Sequence, residues 1–272
     1  MALHLKSVAP MQGARWVREG FVQFARRPLP LTLLFVAFLA AAMLVSVLPY
    51  VGGVLQMMAL PLLSLGFMVA LREAREGRPV RASAYLLPLR CDEVRRRSLL
   101  QLCVAYGVVA MLILLTVDLI AGQTLLRLQE ALARGDATPQ EIDALLAEPE
   151  LGQAMIAAAV LGSLLSLPFW HAPALVHWGG QRAVQALFSS SLALWRNRAA
   201  FLVYGITWAA VLFVFGSLAA LAAGLLGARQ LAAALVLPLG LTFSTIFYAS
   251  LLATYEDCFG DDTERQTPAS AG

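Results

Sequence analysis

Charge is scarce in this chain. Of its 272 residues only 14% are Asp, Glu, Lys or Arg, and Lys6 is the only lysine. A soluble domain carries about a quarter charged residues, so the shortfall excludes an ordinary soluble globule, and with it a disordered or fibrous chain. Cys91, Cys103 and Cys258 are too few for a disulfide-stapled module, and no two have metal-ligand spacing. Past the N-terminus the only histidines are His171 and His177. On a helix of about 3.6 residues per turn they point about 120° apart, which disfavours a shared metal. No glycine-rich phosphate loop, serine nucleophile elbow or zinc-helix signature occurs. No apolar run carries the chain of acids and arginines typical of an ion-coupled pump. The expectation is no catalytic, cofactor-binding or metal-ligating set, and no cofactor.

Apolar residues are what the chain has, at 60% of the total, with mean hydropathy +0.73. They fall in long runs. A helix needs about 20 apolar residues to cross the hydrocarbon core, and six runs qualify: 29–48, 54–71, 99–121, 153–178, 200–226 and 231–254. Strands of a membrane barrel are about 10 residues long and alternate apolar with polar; these runs do neither. The first run is too long, and too far from the N-terminus, for a cleaved signal. The expected fold is an all-α integral membrane protein, a single membrane domain over residues 1–272 with six transmembrane helices. An Arg-rich loop (72–98), a helical loop (122–152) and a tail (255–272) connect and end them.

Orientation follows the basic residues in short loops. Seventeen of the 20 Lys and Arg fall on one side under six alternating crossings, leaving Arg127, Arg134 and Arg229 on the other. The expectation is a multi-pass protein of a bacterial inner membrane, both termini cytoplasmic, with 122–152 periplasmic. The near-absence of Lys beside abundant Arg, Ala, Leu and Gly points to a GC-rich bacterial genome. Nucleic acid is not an expected partner, because the positive-inside rule already demands the arginines, and Glu73, Glu76, Asp92 and Glu93 dilute them. Anionic lipid headgroups are, through Arg15, Arg18, Arg26, Arg182 and Arg196.

A unit recurs along the chain. Residues 11–27 are amphipathic, with Ala14, Val17, Phe21 and Phe24 on one face. Residues 181–198 repeat the pattern with Val184, Phe188, Leu192 and Trp195, and Ser83–Leu87 is a shorter version. Such segments lie in the headgroup plane. Helices 2, 4 and 6 each carry an interior Leu-Pro, at Pro61, Pro168 and Pro238. Interior proline removes a helical hydrogen bond and kinks the helix. The expectation is three units, each an interfacial helix, a straight span and a kinked span. Pro61, Pro168, His171, Pro173 and Pro238 mark a candidate cavity or pathway. His171 is either a neutral imidazole bonded to a backbone carbonyl freed by proline, or a substrate or proton site. Asp118, the only acid within a span, reads as structural. The outer loop reads as two short helices, with Leu125, Leu128 and Leu132 on one face and a capping box at Thr138–Glu141. Gly216, Ala220 and Gly224 form a small-residue face for close helix packing, within the bundle or in a homodimer.

Three loose motifs carry a resemblance. They are Gly13-Ala14-Arg15-Trp16 with Gly20, Phe24 and Arg27-Pro28; Arg75-Glu76-Gly77-Arg78-Pro79-Val80; and Arg198 with Phe201-Leu202-Val203-Tyr204. Together they resemble a family of uncharacterised proteobacterial inner-membrane proteins with six helices. The paired-helix plan is more distantly similar to the membrane domain fused to some glycerophosphodiester phosphodiesterases. The resemblance implies the fold and location and supplies no functional residues. The functional expectation is a non-enzymatic membrane protein that organises or regulates envelope components, with a protein partner or a second copy. The alternatives are a transporter or flippase-like facilitator lined by helices 2, 4 and 6, and a lipid-modifying enzyme.

Overall fold

The computed structural model describes residues 5–49, 51–225 and 229–260, with the side chains of Pro139, Ala220, 222–225 and 229–236 excepted. Among the described residues every regular element is helical. In chain order these are α1 (Gln12–Arg26), α2 (Pro28–Ser46), α3 (Gly52–Arg75), α4 (Glu93–Ala121), α5 (Gln123–Arg134), α6 (Pro139–Leu146), α7 (Pro149–Phe169), α8 (Ala172–His177), α9 (Ala183–Arg196), α10 (Arg198–Leu225) and α11 (Arg229–Phe259). Two short 3₁₀ turns, Ala82–Tyr85 and Leu87–Arg90, fill the gap between α3 and α4. Among the described residues six helices are long and apolar enough to cross the membrane: α2, α3, α4, α7 continued by α8, α10 and α11.

Local chemistry sets the boundaries. α2 starts on Pro28, where the missing N–H costs nothing. The Asp92 carboxylate accepts from the Arg95 N–H at 3.0 Å and starts α4 six residues before its apolar run. Thr138 caps α6 by accepting from the Glu141 N–H at 3.2 Å, as its spacing predicts. Glycines at positive φ, Gly122 (54°) and Gly135 (73°), mark the starts and ends of α5. α3 runs on to Arg75, so the Arg-rich loop is shorter than the sequence implies.

α3 is the most enclosed span, and α11 is next. The other spans turn rows of large side chains outward, such as Leu112 and Leu119 on α4 and Phe213 on α10. In lipid this exposure carries no hydrophobic cost. The three short segments rest on helices of the unit before their own. The 3₁₀ turns sit chiefly on α3, α9 on α7 and α8, and α1 on α10 and α11, so the first unit closes on the last. Tyr85 anchors the 3₁₀ segment by donating to the Leu34 carbonyl at 2.9 Å.

The two longer segments differ from the sequence expectation in one respect. α9 buries Ala186, Ser190 and Ala193 against the bundle and leaves Val184, Phe188 and Trp195 exposed, so its apolar stripe faces outward to lipid. α1 instead buries Gly13, Trp16, Val17, Gly20 and Gln23, while Phe21 and Phe24 are only half-buried. Its inner face is rotated from the Ala14–Phe24 stripe, because it docks on protein. Laying one segment on the other equates buried Val17 with exposed Phe188, so their registers are not equivalent.

Candidate functional site

The spans hold few buried polar groups, and these concentrate where α7 gives way to α8. In a continuous helix the His171 N–H would bond the Leu167 carbonyl. Here the Ser190 hydroxyl of α9 lies between them, accepting from His171 at 3.0 Å and donating to Leu167 at 3.4 Å. A side chain inserted into the helical ladder is a recognised cause of a break. Pro168 and Pro173 flank it, and each lacks the N–H that would continue the ladder. α3 and α11 run unbroken through Pro61 and Pro238, so the interruption in the described spans is confined to this one proline.

Among the described residues the His171 ring bonds through one nitrogen. Thr254 Oγ1 lies 2.7 Å from the Leu251 carbonyl, accepts from the Trp170 indole N–H (3.3 Å) and shares a 3.0 Å hydrogen bond with His171 Nε2. His171 Nδ1 is buried without a partner. The ring is 0% exposed and packs edge-on against Phe201 and Phe259. Its partner is a threonine hydroxyl rather than the freed carbonyl that the sequence implies. Neither Ser190 nor Thr254 was legible as its partner, because a lone hydroxyl in an apolar run has no spacing signal.

The motifs that carried the resemblance converge at the basic end of the bundle. A Cβ on Gly13 would fall on the Ala200 carbonyl, and one on Gly20 on the Ile246 carbonyl. Only glycine lets α1 approach α10 and α11 this closely. Between them Trp16 donates to Asp257 Oδ2 at 2.7 Å and stacks obliquely on Phe201. Arg27 donates to the Ala74 and Arg78 carbonyls, holding the turn at Gly77, whose φ is 81°. Arg75 bridges Glu256 of α11 at 2.7 Å and Glu19 of α1 at 3.6 Å. Asn197 receives the Val8 N–H and donates to the Lys6 carbonyl. A polar cavity of about 410 Å³ lies beside this cluster, with Arg15 and Arg18 at its edge.

A larger cavity of about 1050 Å³ lies between α10 and α11, closed behind by the end of α7. Rings line it, among them Trp170, Phe201, Tyr204, Trp208, Phe243 and Phe247. Tyr204 shares a 2.7 Å hydrogen bond with Ser250. Gly205, Gly216 and Gly240 also line the cavity, and a Cβ at any of them would meet open space. A smaller cavity of about 130 Å³ lies beside Pro61, Tyr106 and Phe169, and it shares Trp170, Phe247 and Tyr248 with the larger one.

The predicted pathway residues are thus scattered. Pro61 lines the small cavity, while His171 and Pro173 are buried in the packing and line neither. Leu167 and Leu239 line the large cavity beside Pro168 and Pro238, and Pro238 itself is exposed. Gly216 lines the chamber, and within the single chain a Cβ there would meet open space. The side chains of Ala220 and Gly224 lie outside the described residues. Arg15, Arg18, Arg26, Arg182 and Arg196 are all exposed at one end of the bundle. Asp118 is exposed near the end of α4. Leu132 is exposed, and the buried face of α5 is Thr124 and Ala131. Among the described residues no cluster of three His, Cys, Asp or Glu could hold a metal.

Fold and apolar surface together define a multi-pass α-helical membrane protein. No family model and no solved structure matches the chain. A curated protein of Burkholderia thailandensis named "Probable inner membrane protein" is 34% identical over 260 residues, spanning 95% of this chain and 94% of that one. The chain belongs to the family of that inner-membrane protein, as its motifs imply.

Proposed function

We propose that the protein is a non-enzymatic component of the inner membrane, both termini cytoplasmic, that grips anionic lipid and organises or regulates other envelope components. The observation that carries this reading is the basic end. There α9 turns Val184, Phe188, Leu192 and Trp195 outward beside exposed Arg182 and Arg196, with Arg15, Arg18 and Arg26 exposed on and around α1. An apolar stripe with flanking arginines suits a helix seated at the headgroup level. On this reading the likeness to membrane domains that accompany phosphodiesterases is one of shared platform, not shared chemistry.

The test is purification of the tagged chain in mild detergent, with its co-purifying lipids and proteins identified. Enrichment of anionic over zwitterionic phospholipid is expected, falling toward the bulk ratio when the five arginines are changed to glutamine. A bulk lipid ratio in the native protein, with no reproducible partner, would sink the reading.

A second reading, a lipid facilitator, draws on the two cavities that share a wall of Trp170, Phe247 and Tyr248. Its path runs through α7, α10 and α11 rather than helices 2, 4 and 6 alone. Faster equilibration of a fluorescent phospholipid between leaflets of proteoliposomes than of empty vesicles would favour it. A lipid-modifying enzyme has less support, since His171 is enclosed and already bonded. Turnover of any lipid that His171→Ala abolishes would reverse that order.

A further inference from the structure

The chamber between α10 and α11 is long. Its α10 wall extends from Phe201 to Ala219. At about 1.5 Å per residue that is about 27 Å, close to the whole hydrocarbon thickness of about 30 Å. The opposite wall, from Leu239 to Tyr248 on α11, supplies Phe243 against Phe215, with ring centroids 5.1 Å apart. An acyl chain of one leaflet reaches only the midplane, about 15 Å in, and fills half of such a wall. The chamber therefore fits a single chain that continues across both leaflets.

The ends of the chamber differ. At the basic end it begins with Leu194 and Phe201. Arg198 opens α10 one helical turn before Phe201, and its guanidinium stands 5.5 Å from the Trp195 ring. Arg198 is exposed, so its hydrogen-bonding fork is open to an anion at the headgroup level. Among the described residues none that lines the chamber is charged. Its width is held open by Gly205, Gly216 and Gly240, each of which has room for a side chain.

We propose that this chamber binds a lipid phosphate with one very long apolar chain, of the polyprenyl phosphate class, with the chain along α10 and the phosphate on Arg198. The site is independent of whether the protein organises or moves lipid. Charge complementarity sets the direction of entry, and the membrane-long wall sets the chain length. A diacyl phospholipid matches the charge but not the length, and a polyprenol matches the length but not the charge.

Trp170 and Trp208 line the site and report on it. The full chain, reconstituted in phosphatidylcholine vesicles, is titrated with a purified long-chain polyprenyl phosphate while tryptophan emission is followed. Polyprenol and dioleoyl phosphatidylglycerol are the comparison probes. A saturable change is expected with polyprenyl phosphate, at concentrations about tenfold below those of either comparison probe. Gly205→Leu with Gly240→Leu fills the chamber and should abolish the response. Leucine is the better helix former, so both substitutions should leave thermal unfolding by circular dichroism at or above the native midpoint. Arg198→Gln should weaken polyprenyl phosphate to the level of polyprenol and leave polyprenol unchanged. An undiminished response in the filled chamber, or equal binding of phosphatidylglycerol, would overturn the proposal. So would the lack of a saturable response in the native chain.

Discussion

At the scale of single residues, a few hydroxyls and glycines decide how apolar helices fit together. Ser190 mends the ladder that the Pro168–Pro173 segment opens, serving a donor and an acceptor with one oxygen. Ser190→Ala leaves both buried groups unpaired, so a loss of about 1–3 kcal/mol is expected; thermal unfolding in detergent measures it. A midpoint equal to the native one would show that Ser190 is incidental. Cys91 offers a second check. Its thiol donates to the Pro88 carbonyl at 2.8 Å, and burial, with the nearby Asp92 carboxylate adding, pushes its pKa up. The thiolate is the reactive form, so a raised pKa lowers reactivity at neutral pH. Maleimide labelling of Cys91 should be slower there than for a free thiol and should still climb where the free thiol has levelled off. Cys103 and Cys258 are 4% and 0% exposed and should label only on unfolding.

At the scale of elements, α1 and α9 show what hydropathy patterns reveal and what they hide. The Val184–Trp195 stripe was legible because lipid rewards apolar faces, and periodicity finds apolar faces. The inner face of α1 was not, because its contact is built on Gly13 and Gly20, which a hydropathy pattern counts as neutral. Glycine marks a close approach only once the neighbouring backbone is known. The same blindness hid the chamber: Gly205 and Gly240 resemble Gly20 in sequence, yet one kind meets a carbonyl and the other meets space. Spans and the Thr138 cap were readable because they rest on local rules. The Ser190, Thr254 and Asp257 contacts join residues 19 to 241 positions apart, which no local rule reaches. The two kinds of glycine make opposite predictions. Gly20→Leu should drive α1 off α11, seen as protease cleavage near residues 11–27 in otherwise intact membranes. Gly216→Leu, with open space before it, should leave cleavage and stability as in the native chain.

At the scale of the whole molecule, charge asymmetry and packing agree. Contacts of Arg27 with Ala74, Arg75 with Glu256 and Arg95 with the His177 carbonyl place the N-terminal segment, the ends of α3, α8 and α11, and the start of α4 at one end of the bundle. The basic residues therefore gather as the positive-inside rule requires. Reporter fusions after Arg81 should be active in the cytoplasm and fusions after Asp136 in the periplasm. The inverse pattern would reverse the proposed orientation while leaving the fold intact.

The docking of α1 also has a consequence for biosynthesis. Its partners, α10 and α11, are synthesised long after it. At about 5–20 residues per second, on the order of ten to fifty seconds separate the synthesis of α1 from that of the end of α11. Through that interval Trp16 has no Asp257 to bond and the glycine groove has nothing to receive. A truncated chain would keep this face open indefinitely, displaying an unsealed helix to membrane proteases. Arrival of α10 and α11 hides it, so the docked α1 marks a molecule in which both of its partner helices have been made.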